Sequence, residues 1–224
     1  MSRRFVRLDI IIFAFVAIAA AVLFYDRQIS QEEQASVVAA VSSASATEDP
    51  ATLVRFHSPT FGPSNAPVTI VEFFDPSCEA CRAFYPLVKQ ILDENPNDVR
   101  LVMRYVLFHK GSEEVARMLE ASRKQNLFPQ VLEAVLAAQP EWHDDPKVLK
   151  AWDAAARAGL DVEKARTEMG SSAIDAVLKR DMEDAKKIGI RGTPTFYVNT
   201  QPLVELGPEP LRNLVLSEIK QARN

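Results

Sequence analysis

Cys78-Glu79-Ala80-Cys81 is the feature that most narrows what this chain can become. These are the only two cysteines in 224 residues, so a disulfide-dense scaffold is excluded and the pair is left with redox or metal chemistry. Its surroundings matter more than its spacing. Val68–Phe74 is β-branched and aromatic and reads as a buried strand, Asp75-Pro76-Ser77 breaks it, and helical periodicity follows to about Asp93. A cysteine where a helix begins meets free backbone N–H groups and the positive end of the helix dipole, and both favour the thiolate. The spacing lets the second thiol reach back and resolve a mixed disulfide. Cys78 is therefore expected to be the exposed nucleophile and Cys81, one turn inward, the resolving thiol.

Other readings of the pair stand beside this one. A structural zinc site needs four ligands; there is no second CxxC, and His57, His109 and His143 are scattered and read as surface or packing residues, so no metal site is assigned. Two thiolates holding copper, as in a metallochaperone, is an alternative from a different functional class. Closure of so short a loop gains little stability, which disfavours a purely structural disulfide.

The N-terminus bears on compartment. Arg3, Arg4 and Arg7 precede an uncharged apolar run, Ile10 to Tyr25, which as a helix is about 24 Å long, a short membrane span. Basic residues before the run favour an inside N-terminus, placing the bulk of the chain outside the cytoplasm. Residues 1–25 are read as a cytoplasmic tip and transmembrane anchor. A cleaved signal peptide is the competing reading, with small residues at Ala19-Ala20-Ala21 and Ala44-Ser45-Ala46. Either way the expected location is the periplasm, in the first case as a single-pass inner-membrane protein. Residues 26–50 read as a stem; Ser30 and Glu33 form a capping-box pattern, and Val37, Val38 and Val41 share a helical face that would suit a short oligomerising helix.

The folded part occupies residues 51–224. Val99–Leu107 is a second strand, giving strand–helix–strand with a right-handed crossover. A helical block follows over about 112–188: Glu113–Gln125, a helix opened by Pro129, one capped by Asp145 with Pro146 at its first position and stopped by Gly159, one capped by Asp161, and one from Ser172 to Ile188-Gly189. Strands Thr195–Asn199 and Leu203–Leu206 with a tight linker at Thr200-Gln201-Pro202 suggest a hairpin, and Leu211–Ala222 closes as a helix.

Composition removes several functions. Lys and Arg number 26 against 30 Asp and Glu, a formal charge of −4, and the first 50 residues hold four basic and six acidic residues, so no basic module is left to bind nucleic acid. Seven glycines, none before Gly62, leave no P-loop or dinucleotide fingerprint.

Glu72 through Cys81, with Phe84-Tyr85-Pro86, resembles the active-site stretch of the thioredoxin superfamily, and Gly192-Thr193-Pro194-Thr195-Phe196 resembles its cis-proline loop. The long stretch between Cys81 and Pro194 resembles the DsbA-like branch, in which a helical domain is inserted between these motifs. The resemblance covers roughly residues 60–222. It implies an α/β thioredoxin-like fold with a helical insertion and a thiol–disulfide oxidoreductase needing no organic cofactor. It implies that Pro194 is cis and packs against the cysteines, that Thr193 shapes the substrate groove, and that Glu72 moves the resolving thiol's proton. Its partners would be cysteine-containing exported proteins and a membrane redox partner, either a quinone-linked oxidase or a thiol-supplying reductase. The dipeptide Glu79-Ala80 departs from the strongly oxidising pattern, and an anion beside the thiolate should raise its pKa. Threonine before the proline is closer to reductase and isomerase relatives. Oxidase, reductase and isomerase therefore remain open.

Overall fold

The computed structural model describes residues 50–224; the anchor expected at 1–25 and, apart from Pro50, the stem expected at 26–50 lie outside the described residues. Among the described residues no helix is long and apolar enough to cross a membrane.

After a short helix α1 (Pro50–Leu53), the chain forms β1 (Thr60–Phe61), β2 (Val68–Phe74), α2 (Glu79–Glu94) and β3 (Val99–Tyr105). The helical block comprises α3 (Ser112–Lys124), α4 (Phe128–Ala137), a 3-10 turn (Gln139–Glu141), α5 (Leu149–Arg157), α6 (Val162–Glu168) and α7 (Ser172–Ile188). Then come β4 (Thr195–Val198), β5 (Gln201–Pro202) and α8 (Pro208–Ala222). The sheet order is β1-β3-β2-β4-β5, with β2 and β3 parallel and the other neighbours antiparallel. This is the thioredoxin-like arrangement with a helical insertion between β3 and β4.

Every residue of β2 is buried, because the sheet is covered on both faces. Alternation sorts its side chains. Val68, Ile70 and Phe74 join a large core with Val88 and Ile91 of α2, Leu211 and Val215 of α8, and the insertion. Val71 and Phe73 join a smaller core on the other face with Leu53, Val102, Ala185 and Tyr197. Glu72 shares the parity of Ile70 and Phe74 and so faces α2.

A polar clamp closes the second face. Arg104 in β3 is fully buried; its Nε donates to Asp181 (2.8 Å), one terminal nitrogen to Asp184 (2.7 Å), and the other to the Thr52 and Leu53 carbonyls (both 2.7 Å). Asp181 also accepts from the Tyr105 N–H and pairs with His57 Nε2, each at 2.8 Å, and Arg55 grips Asp184 with two nitrogens. The clamp ties the first described residues to α7.

Two local expectations are corrected. Asp145-Pro146 does not open α5: Asp145 accepts from the Lys147 and Leu149 N–H groups, Val148 takes a left-handed conformation (φ 45°), and the helix starts at Leu149, whose side chain is exposed. The hairpin turns at Asn199-Thr200, with Asn199 at φ 56°, so its second strand is Gln201–Pro202 and not Leu203–Leu206. Leu203 does donate its N–H to Phe196 (2.9 Å), but Val204 and Leu206 are exposed and bury nothing that would extend the strand.

Candidate active site

The site forms where β2 ends. Cys78 is the N-cap of α2 in extended conformation, its N–H donating to the Asp75 carbonyl (3.1 Å). Asp75 organises the turn that delivers it. Fully buried, it accepts from the Ser77 N–H (2.8 Å), the Ser112 hydroxyl (2.6 Å), the Phe108 N–H (2.8 Å) and the His109 ring (2.8 Å). From the insertion, buried Gln139 donates to the Pro76 and Cys78 carbonyls (2.8 and 3.0 Å) and accepts from Arg82. The active-site turn is thus held from both halves of the fold.

The Thr193–Pro194 peptide is cis, and the Thr193 carbonyl accepts from the Cys78 thiol at 3.2 Å. Sequence positions 115 residues apart meet here. Cys78 is only 7 % exposed, less open than a surface nucleophile, while Cys81 is fully buried; the Asp75 N–H points at Cys81 Sγ (3.5 Å).

Electrostatics separate the two thiols. Cys78 is pulled down to about 5, first by the Cys81 thiol hydrogen-bonding to it, against the upward push of its burial, and further by the Thr193 side chain and the Cys81 and Ala80 N–H groups. In the thiol state the Thr193 hydroxyl is buried without a partner, so it is a donor that finds its acceptor when Cys78 ionises. Burial, the Cys78 hydrogen bond and the Glu72 charge all push Cys81 upward. Glu72 is 1 % exposed, its Oε1 lacks a hydrogen-bond partner, and burial followed by the Cys78 charge raises it to about 8.

The expectation that Glu79 raises Cys78 is corrected. The Glu79 carboxylate is 67 % exposed and turns toward His143 (3.8 Å), away from the groups that set the thiol. Ala80 acts through its backbone N–H. The reading of the histidines as bland surface or packing groups also needs revision: His143 faces Glu79, His57 belongs to the Arg104 clamp, and His109 pairs with Asp75. Burial opposes charge on His109, yet its hydrogen bond to Asp75, the Asp75 charge and the Cys78 charge raise its pKa. Asp75, Ser112, Gln139 and His109 were all missed in the sequence, and only Asp75, as a strand breaker before the cysteine, carried any local signal.

A cysteine pair at this junction, a cis-proline against it and a buried acid behind it define the redox class of thioredoxin-fold proteins. The sequence matches the family profile described as Thioredoxin over residues 56–215, and the chain belongs to that superfamily, in its DsbA-like branch. It is 28% identical over 141 residues to the thiol:disulfide interchange protein DsbA of Bordetella parapertussis, spanning 61% of this chain and 66% of the relative. A solved thioredoxin-like oxidoreductase from Silicibacter pomeroyi superposes with a TM-score of 0.68 at 27% identity, covering 79% of this chain and 98% of that one. The chain is also 31% identical over 168 residues to a sodium/proton antiporter, NhaA 3, of Salinispora tropica, covering 72% of this chain. It spans only about a quarter of that relative's length.

Proposed function

We propose that the chain is a protein thiol–disulfide oxidoreductase that donates disulfides to cysteine-containing exported proteins, working in the periplasm from a single-pass inner-membrane anchor. The observation that carries this reading is the opposite perturbation of two thiols one helical turn apart, beside a cis-proline.

A substrate thiolate attacks Cys78 Sγ of the oxidised pair. The Cys78–Cys81 bond breaks, its electrons leave on Cys81, and Glu72, still protonated near neutrality, supplies the proton that Cys81 strongly holds. The substrate's second thiolate then attacks the mixed disulfide at the substrate sulfur and expels Cys78 as a thiolate. The substrate loses two electrons, the pair gains them, and of the two substrate protons one replenishes Glu72 and one goes to solvent. Thr193 and Pro194 shape the groove in which the substrate chain lies. A quinone-linked membrane oxidase would reoxidise the pair.

The low thiolate supports this direction. Lowering Cys78 to about 5 stabilises the reduced form at pH 7 by roughly 3 kcal/mol, which makes the disulfide about 60 mV more oxidising than one with an ordinary thiol. The decisive test is the equilibrium reduction potential of the pair against glutathione. A value nearer −120 mV than −200 mV is expected for a donor; a value at or below about −200 mV makes the protein a reductase or isomerase. Failure to form an intramolecular disulfide would remove the redox reading and bring copper binding by the two thiolates forward.

A further inference from the structure

The active site is bordered on its α7 side by a groove of about 600 Å³ that the exchange chemistry does not use. Its apolar lining includes Phe108, Met182 and Ile190, and Phe108 is 46 % exposed. Both walls run into the reacting centre. On one, the Phe108 and His109 N–H groups donate to Asp75 (2.8 and 3.2 Å), which also holds the Ser77 N–H beside Cys78. On the other, Ile190-Arg191 lead through Gly192 into Thr193, whose carbonyl accepts from Cys78. The Leu107 N–H against Met182 Sδ (3.3 Å) joins the walls below.

The rim is cationic. Lys179, Lys186 and Arg191 line the groove, and among the described residues the side chain of none of them has a hydrogen bond or ion pair. The one acid there, Glu183, is paired with Arg180 (3.3 Å). On a chain of net charge −4 this is a local reversal of sign. The insertion side of the cysteine carries the opposite charge: Glu79 and Asp144 are 67 % and 94 % exposed, with His143 between them. A segment crossing Cys78 therefore meets cations on one side, over an apolar floor, and carboxylates on the other.

We propose that this groove receives the part of the cysteine-bearing substrate protein next to its reactive cysteine, and that it selects segments with an apolar side chain flanked by carboxylates. The apolar side chain lies on Phe108, Met182 and Ile190, and the carboxylates pair with the rim cations. This rests on the disulfide-exchange reading and adds to it a substrate preference.

The test uses the full-length oxidised protein and three reduced dithiol peptides, identical except for Glu-Phe-Glu, Gln-Phe-Gln or Lys-Phe-Lys beside the first cysteine. Each second-order rate is divided by that peptide's rate with glutathione disulfide, which removes differences in intrinsic thiol reactivity. At low salt the acidic peptide should react at least 10-fold faster than the basic one, with the neutral one between, and the spread should shrink severalfold in 0.5 M salt. Replacing Phe by Ser in the acidic peptide should slow it about 5-fold, the loss expected for part of an aromatic contact. In the Lys179→Glu/Lys186→Glu protein the order should reverse. Equal normalised rates for the three peptides, or an acidic preference that survives the double substitution, would overturn the groove's role while leaving the exchange reading intact. Transfer to no peptide and none to glutathione would overturn the exchange reading and this one with it.

Discussion

Replacing Glu72 by glutamine should stabilise the fold and slow the chemistry together. The carboxyl is buried beneath the cysteines with one oxygen unpaired, and its pKa stands at about 8 where an ordinary glutamate stands at 4.5. Below pH 4.5 it is protonated in folded and unfolded chains alike and costs nothing extra. Between 4.5 and 8 the unfolded chain releases the proton and the folded chain keeps it, so stability is lost as pH rises, at 1.36 kcal/mol per unit. The loss amounts to roughly 3 kcal/mol at pH 7 and levels off near 5 kcal/mol above pH 8. Cys78 gives the reduced chain the opposite slope, because its folded pKa lies below its unfolded one; its stabilisation is complete only above the unfolded value and is lost as pH falls toward 5. The difference between wild type and Glu72→Gln removes that contribution apart from the repulsion between the Cys78 and Glu72 charges. Urea unfolding of the two reduced proteins at pH 4.5, 6, 7 and 8 should give curves that meet at the acid end and diverge to roughly 3 kcal/mol or more at pH 8, the amide's own desolvation taking part of the gain. Formation of the mixed disulfide, in which Cys81 leaves and takes its proton from Glu72, should slow by about 100-fold, the low end for a lost general acid or base. Parallel stability curves across this range would mean that Glu72 is ionised in the folded protein, and the proton-transfer role would fall with it.

Given a substrate in its disulfide form, Cys81→Ser should accumulate a mixed disulfide, as Cys78 attacks the substrate disulfide and expels the substrate's second sulfur as a thiolate, seen as a gel shift reversed by dithiothreitol, whereas Cys78→Ser should trap none. Thiolate absorbance of the reduced protein near 240 nm should titrate with a midpoint near pH 5, and Glu79→Gln should move it by less than about half a unit, since an exposed charge is screened by solvent. Asp181→Ala should cost about 3–5 kcal/mol by stranding the buried Arg104 guanidinium, read as a large loss of melting temperature with the Cys78 midpoint unchanged.

Local pattern made the strand Val68–Phe74 legible to the residue, and α2 and α7 nearly so, because apolar periodicity, breakers and Gly189 act within a few residues. The same rule misplaced the last strand: Leu203–Leu206 looks like a strand, but apolar character does not reveal that Val204 and Leu206 face solvent while the pairing falls on Gln201–Pro202. Cys78 and Cys81 announced themselves through spacing, and Thr193-Pro194 through a known motif. The groups that position them did not. Gln139 lies 61 residues from Cys78, His109 lies 34 from Asp75, and Arg104 and Asp181 are 77 apart, so each polar contact exists only once the chain has folded. The pKa of Cys78 was misjudged for the same reason: Glu79 adjoins it in sequence, but the side chain turns away.

The Arg104 clamp also sets an order in time. Its cation comes from β3, its carbonyl acceptors from Thr52 and Leu53, and its carboxylates from Asp181 and Asp184 near the end of α7. A chain delivered N-terminus first presents the arginines of this cluster long before their carboxylates, as the Arg55–Asp184 separation of 129 residues makes plain. Until α7 arrives, the second face of the sheet holds an unpaired guanidinium that cannot be buried without a cost of several kcal/mol. The domain therefore cannot close that face early around its own first half. The CxxC turn and its β2–α2–β3 neighbours can assemble first, but the seal over Val71, Phe73 and Val102 waits for residues of the insertion's last helix and of β4. The second face is complete only when α7 has supplied its carboxylates and β4 has supplied Tyr197.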